Sequence, residues 1–134
     1  MPNVSFANIR LNQRYSRNEL AQAWGYESAT AISKGVVTPR GQSFIILFVT
    51  RDQQPTVSQY RNYLEGNRLT WEGPKDHSAE DRMLAATRWN DEIHLFYRER
   101  HHSDFTYLGR LTVENVTRHR DRPSEFVLRL VDTN

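Results

Sequence analysis

An unbroken apolar run, Phe44-Ile-Ile-Leu-Phe-Val49, limits the folds open to this chain more than any other feature. The run has strand length and falls far short of the ~18–20 apolar residues that cross a bilayer. It does not alternate with polar residues. A strand over 43–50 is therefore expected to be central and buried on both faces.

The other strand candidates are of the half-buried kind. Residues 67–72 alternate weakly. Over 92–98, Ile93, Leu95 and Tyr97 share one side, and His94, Phe96 and Arg98 the other. Over 104–114, Phe105, Tyr107, Leu111 and Val113 oppose Thr106, Arg110, Thr112 and Glu114. Over 125–131, Phe126, Leu128 and Leu130 point inward. Two short helices interrupt the strands. Ser16-Arg-Asn-Glu19 is a capping box, Leu20, Ala23 and Trp24 give an apolar face, and Gly25 suits a left-handed end, so a helix is predicted over 17–24. A second is predicted over 78–88, capped by Ser78 with Asp81, with Met83, Leu84 and Ala86 packed inward. These elements predict a mostly β (α+β) fold, a small closed or nearly closed barrel (pseudobarrel) with two short helices. One domain is expected to span residues 1–134.

The chain has no cysteine, which removes disulfides, thiolate zinc sites and cysteine nucleophiles together and fits a reducing cytosol. No leader-like apolar segment opens it, so a cytoplasmic, non-membrane protein is expected. Net charge is only +2, but of the 18 basic residues just Lys34 and Lys75 are lysines. Arginine forks match phosphates and guanine edges where lysine does not. A GC-rich genome enriches arginine as well.

Nuclease motifs are absent. The two lysines are preceded at the required spacing by Ile32 and Gly73 instead of an acid, and no H-x-K or HNH pattern occurs. His101 and His102 are adjacent, so on a strand they point to opposite faces and cannot readily share a metal. Nucleotide-binding glycine motifs and the G-x-S-x-G elbow are missing too. No cofactor, metal or catalytic residue is expected. An enzyme without metal, using His77 or His102 as general acid or base, stays open.

Three groups carry binding chemistry. The hairpin tip within 96–110 presents Arg98, Arg100, His101, His102 and Ser103 to a phosphate backbone, or is a plain polar turn. Tyr60, Asn62, Tyr63, Trp71, Glu72, Lys75, Asp76, His77, Ser78 and Arg82 combine rings with polar groups that could hold a base. In that group Lys75 is expected on phosphate, and Trp71 suits core or site equally. Arg14, Arg17, Asn18, Arg40 and Gln42 form a third patch, beside the helix start, where phosphates also bind.

Three stretches, RYSRNELAQAWG, SQYRNYLEGNRLTWEGPKDHSAEDR and DEIHLFYRERHHSDFTYLGRLTV, resemble a bacterial domain found at the C-terminus of DEAD/DEAH restriction helicases and beside HNH endonucleases. The resemblance covers about residues 13–130, with Y-x-N-Y…W-E-G and L-F-Y-R…F-x-Y-L-G-R its most specific parts. It departs at Thr70-Trp-Glu-Gly-Pro74, where helicase-linked members often read H-W-Q-S-Q. It implies a DNA-recognition domain of a restriction or defence system, with a pseudobarrel similar to plant B-three and PUA-like domains. Double-stranded DNA would be the partner, read at a short sequence or a modified base, and a nuclease or helicase would do the cutting. The alternative is a module that docks a helicase to a nuclease.

Overall fold

The computed structural model describes residues 2–52, 62–73, 77, 80–100 and 102–131, without the side chains at 52, 63 and 87–89. Its strands are β1 (Arg14–Tyr15), β2 (Val36–Val37), β3 (Phe44–Asp52), β4 (Tyr63–Glu65), β5 (Arg68–Glu72), β6 (Glu92–Arg100), β7 (Phe105–Thr117) and β8 (Glu125–Leu130). The helices are α1 (Arg17–Trp24) and α2 (Glu80–Trp89), with a 3₁₀ turn at Ala29–Ile32. Among the described residues no helix is long and apolar enough to cross a membrane.

The strands form one sheet ordered β2-β3-β6-β7-β8-β5-β4, with β1 paired to the start of β7. Every pair is antiparallel except β3–β6. The sheet curls without closing among the described residues. Its last strand still returns to the middle, because the Leu64 backbone hydrogen-bonds the Tyr97 hydroxyl of β6. The expected mostly β, nearly closed barrel with two short helices is the fold observed.

The apolar run lies in β3 at the centre of the sheet, and its alternate residues enter two different cores. Ile45, Leu47 and Val49 join Ile93, Leu95, Leu69, Trp71, Phe126 and Leu128 inside the curl. Ile46 and Phe48 face outward with Phe96, under Leu20 and Trp24 of α1. A solvent-facing β3 would not need apolar residues in both registers. Burying one such side chain contributes about 1.5–3 kcal/mol, so each register has enough to gain to fix its own layer.

α1 spans the residues its capping box predicts. The Ser16 hydroxyl accepts from the Glu19 N–H at 3.1 Å, the Glu19 carboxylate accepts from the Ser16 N–H at 2.9 Å, and Gly25 ends the helix at φ 82°. The outer core is sealed by an N-terminal arm that no sequence periodicity announces. The Gln42 side chain clasps it, accepting from the Val4 N–H at 2.9 Å and donating to the Val4 carbonyl at 2.8 Å. The indole of Trp24 donates to the Ser5 carbonyl at 2.9 Å. Phe6 stacks on the buried His94 at 3.6 Å between ring centres.

Two details differ from expectation, and a third adds to it. Phe105 and Tyr107 do not share a face with Leu111 and Val113, because a bulge opposite Leu95–Phe96 inserts Leu108. Gly109 sits there at φ 97°, a conformation side chains resist. The bulge hands β7 from the outer core to the inner one. Leu84 is 38% exposed, so α2 packs through Met83 and Ala86 instead. The strand expected at 67–72 is one arm of a hairpin, β4–β5, which turns at Gly66 with φ 63°. The expected cap at Ser78 lies outside the described residues.

Candidate nucleic-acid interface

Even-numbered positions of β6 face the outer core, so Arg98 emerges beside α1. It is registered with Thr50 of β3, and its Nε donates to the Thr50 hydroxyl at 2.7 Å. One terminal nitrogen donates to the Ser103 carbonyl at 3.0 Å, which ties the strand to the following turn. The guanidinium then lies 4.3 Å over the Phe105 ring. Arg17, the first residue of α1, reaches the same ring. Its guanidinium sits 5.0 Å from Phe105 and 4.8 Å from Phe48.

This is an uncompensated pair of cations. Among the described residues neither Arg17 nor Arg98 forms an ion pair. Among the described residues the one side-chain hydrogen bond of Arg17 is a 3.5 Å contact to the Lys34 carbonyl, and its buried Nε has no partner. Burial, and then the neighbouring Arg98 charge, lower Arg17 to about 10. Burial lowers Arg98 as well. Both stay protonated at neutral pH. Two like charges on one apolar shelf repel each other, and an anion bound beside them would relieve that repulsion.

Four of the expected phosphate residues come together at one depression. Arg14 of β1 is registered with Thr106 of β7. Arg14, Arg98, Arg100 and Ser103 together line a depression of about 450 Å³. Asn18 is exposed in the first turn of α1. His102 is exposed in the turn after β6, at φ 69°. Arg40 lies apart, lining a second depression of about 470 Å³ with Lys34 and Arg82. Lys34 belongs to this cationic surface and was not among the expected residues. His101 and Lys75 lie outside the described residues.

The expected base-reading group does not assemble in the same way. Tyr60, Asp76 and Ser78 lie outside the described residues, as does the Tyr63 side chain. Trp71 is 4% exposed and packs on Phe126 at 5.4 Å, so it is a core residue. The Asn62 carboxamide oxygen accepts the Glu72 N–H at 2.9 Å and pins the β4–β5 hairpin. Arg82 is occupied by the Asp91 carboxylate at 3.3 Å and the Gln42 carbonyl at 2.7 Å, clamping α2 to the start of β3.

His77, held at φ 60°, bonds through Nδ1 to the Glu80 carboxylate at 2.6 Å. Glu80 is 4% exposed, and its other oxygen accepts from Arg118 at 2.9 Å. Burial pushes the Glu80 carboxyl up, but hydrogen bonds from His77, Ser124 and Arg118 outweigh it and leave it below its usual value. The open space of about 490 Å³ beside it is lined by His77, Glu80, Arg118, His119 and Arg120. The run Arg118-His-Arg-Asp-Arg122 was the sequence signal for this loop. No group of three or more His, Asp or Glu side chains suited to a metal occurs among the described residues.

No curated protein matches the chain. Among solved structures it is similar to the DNA modification-dependent restriction endonuclease AspBHI, with 10% identity and a TM-score of 0.46. The aligned region covers 75% of this chain and 62% of that one. Residues 9–130 match the model of a protein family, so the chain belongs to the family described as "Domain of unknown function (DUF3427)".

Proposed function

We propose that the chain is a DNA-recognition domain of a restriction or defence system, acting in the cytoplasm on double-stranded DNA. It reads a short sequence or a modified base and leaves strand cutting to a nuclease or helicase partner, with no catalysis of its own. The observation that carries this reading is the Arg17–Arg98 pair, two guanidinium groups on one phenylalanine with no counter-ion among the described residues. A structural arginine is normally matched to a carboxylate or a set of carbonyls, as Arg82 is here. A pair with no carboxylate partner among the described residues, one member of which lines an arginine-rich depression, suits the phosphate backbone. The resemblance to domains of restriction helicases points to the same partner.

The test is fluorescence anisotropy with short duplexes at two salt concentrations. The panel holds one mixed sequence, unmodified or carrying methylated or hydroxymethylated cytosine, methylated adenine or a phosphorothioate. Binding that strengthens as salt falls is expected, and Arg17→Gln should lower the log–log salt slope by up to about 1, the share of one phosphate contact. Tight binding to one panel member that survives the higher salt would name the target. No duplex binding at low salt, or an Arg17→Gln protein that binds like wild type, refutes the reading.

A further inference from the structure

The depression beside the arginine pair has more than a cationic rim. Leu64, Tyr97 and Leu108 come from three strands and line it together with Arg98 and Arg100. The Tyr97 side chain is largely buried and its hydroxyl is already bonded by the Leu64 backbone, so the tyrosine presents its ring rather than a free polar group. The volume, about 450 Å³, falls within the roughly 300–1,000 Å³ of small-ligand sites. An apolar floor beneath a guanidinium rim matches a flat apolar body attached to an anion, which is the form of a nucleotide.

One lining residue does not fit a pure phosphate site. Asp104 is exposed in the turn before β7 and makes no ion pair among the described residues. Glu99 also lines the space but is engaged by Arg51 at 3.4 Å. A carboxylate in an arginine rim weakens phosphate binding. It is useful where something must be accepted, and a carboxylate accepts from the exocyclic amino group of a base such as cytosine.

We propose that this barrel mouth takes one unstacked nucleotide, with its phosphate on Arg98 and Arg100, its base on the Leu64–Tyr97–Leu108 floor, and Asp104 selecting a base with an exocyclic amino group, such as cytosine or adenine, over thymine, which has none. The inference rests on the DNA reading above and moves the base site from the Tyr60–Arg82 group, whose Trp71 is in the core, to the other end of the arginine surface. A single strand offers its bases without the cost of extrusion, so it is the sharper probe.

The experiment is an anisotropy titration of the whole chain with labelled oligo-dC, oligo-dA and oligo-dT, each about eight nucleotides long, beside an unmodified duplex. Wild type is expected to bind oligo-dC and oligo-dA about tenfold more tightly than oligo-dT. Asp104→Ala should abolish that ratio while holding or raising affinity for oligo-dT, since a negative charge leaves the rim. Leu108→Trp, checked for folding by thermal melt, should fill the floor and abolish the ratio as well. Equal binding of the three strands with duplex binding intact overturns the nucleotide site and leaves the backbone reading standing. An unchanged ratio in Asp104→Ala overturns the role of that carboxylate. Failure of wild type to bind the strands or the duplex overturns the DNA reading, and the nucleotide site with it.

Discussion

His94 should make folding stability depend on pH in mildly acid solution. The ring is buried in the outer core, stacked on Phe6 and edge-on to Phe44. Its Nε2 meets the Glu92 carboxylate at 2.9 Å and its Nδ1 the Tyr107 hydroxyl at 2.7 Å. A carboxylate only accepts, so Nε2 carries the proton and Nδ1 accepts from the Tyr107 hydroxyl. Burial lowers the folded-state pKa from 6.5 to about 4; Arg110 also lowers it, and Glu92 opposes the change. The unfolded chain therefore binds the proton first. The stability contributed by a neutral His94 is complete above pH 6.5 and is lost as pH falls toward 4. Each pH unit between the unfolded and folded values corresponds to about 1.4 kcal/mol, so the full loss is about 3 kcal/mol, and about 2 kcal/mol of it is gone by about pH 5. Urea unfolding at neutral pH and at about pH 5 measures this directly. His94→Gln keeps a donor for Glu92 and an acceptor for Tyr107 but cannot titrate. Its stability at neutral pH should fall modestly, while its loss on acidification should be smaller than wild type by about 2 kcal/mol. The same acid sensitivity in both proteins would refute the reasoning.

Other outcomes follow from the packing. Trp71→Ala should cost about 3–5 kcal/mol in urea unfolding, as expected for a large buried ring; a fully stable variant with lost DNA binding would instead put Trp71 in a site. Gly109→Ala should cost about 1–2 kcal/mol, because the bulge needs a positive φ, and a thermal melt reads the loss.

Much of this was legible in the sequence, and what was not has identifiable causes. The capping box fixed α1 because all its partners lie within four residues. The unalternated run fixed β3 because only a strand buried on both faces needs apolar residues in both registers. Tyr107 went to the wrong layer because one glycine shifts the period of β7, and a strict alternation carries no mark of where it breaks. Arg17 and Arg98 fell in separate groups because only the β1–β7 and β3–β6 pairings bring the start of α1 over Phe105. Trp71 was ambiguous because an aromatic beside polar residues reads equally as pocket wall or core, and only the inward face of β5 decides between them.

The parallel β3–β6 pair also governs how the chain can be made and cut. Among the described residues β3 has a two-residue neighbour, β2, on one edge, and its other edge is covered by β6, which follows β4, β5 and α2 in the chain. Until then Phe44–Val49 is a bare β-prone segment without charge or proline, the composition that pairs with copies of itself. A growing chain must carry that run unprotected until residues 92–100 have emerged. Fragments ending before β6 should therefore collect as aggregates, and the smallest soluble version must include both strands of the pair.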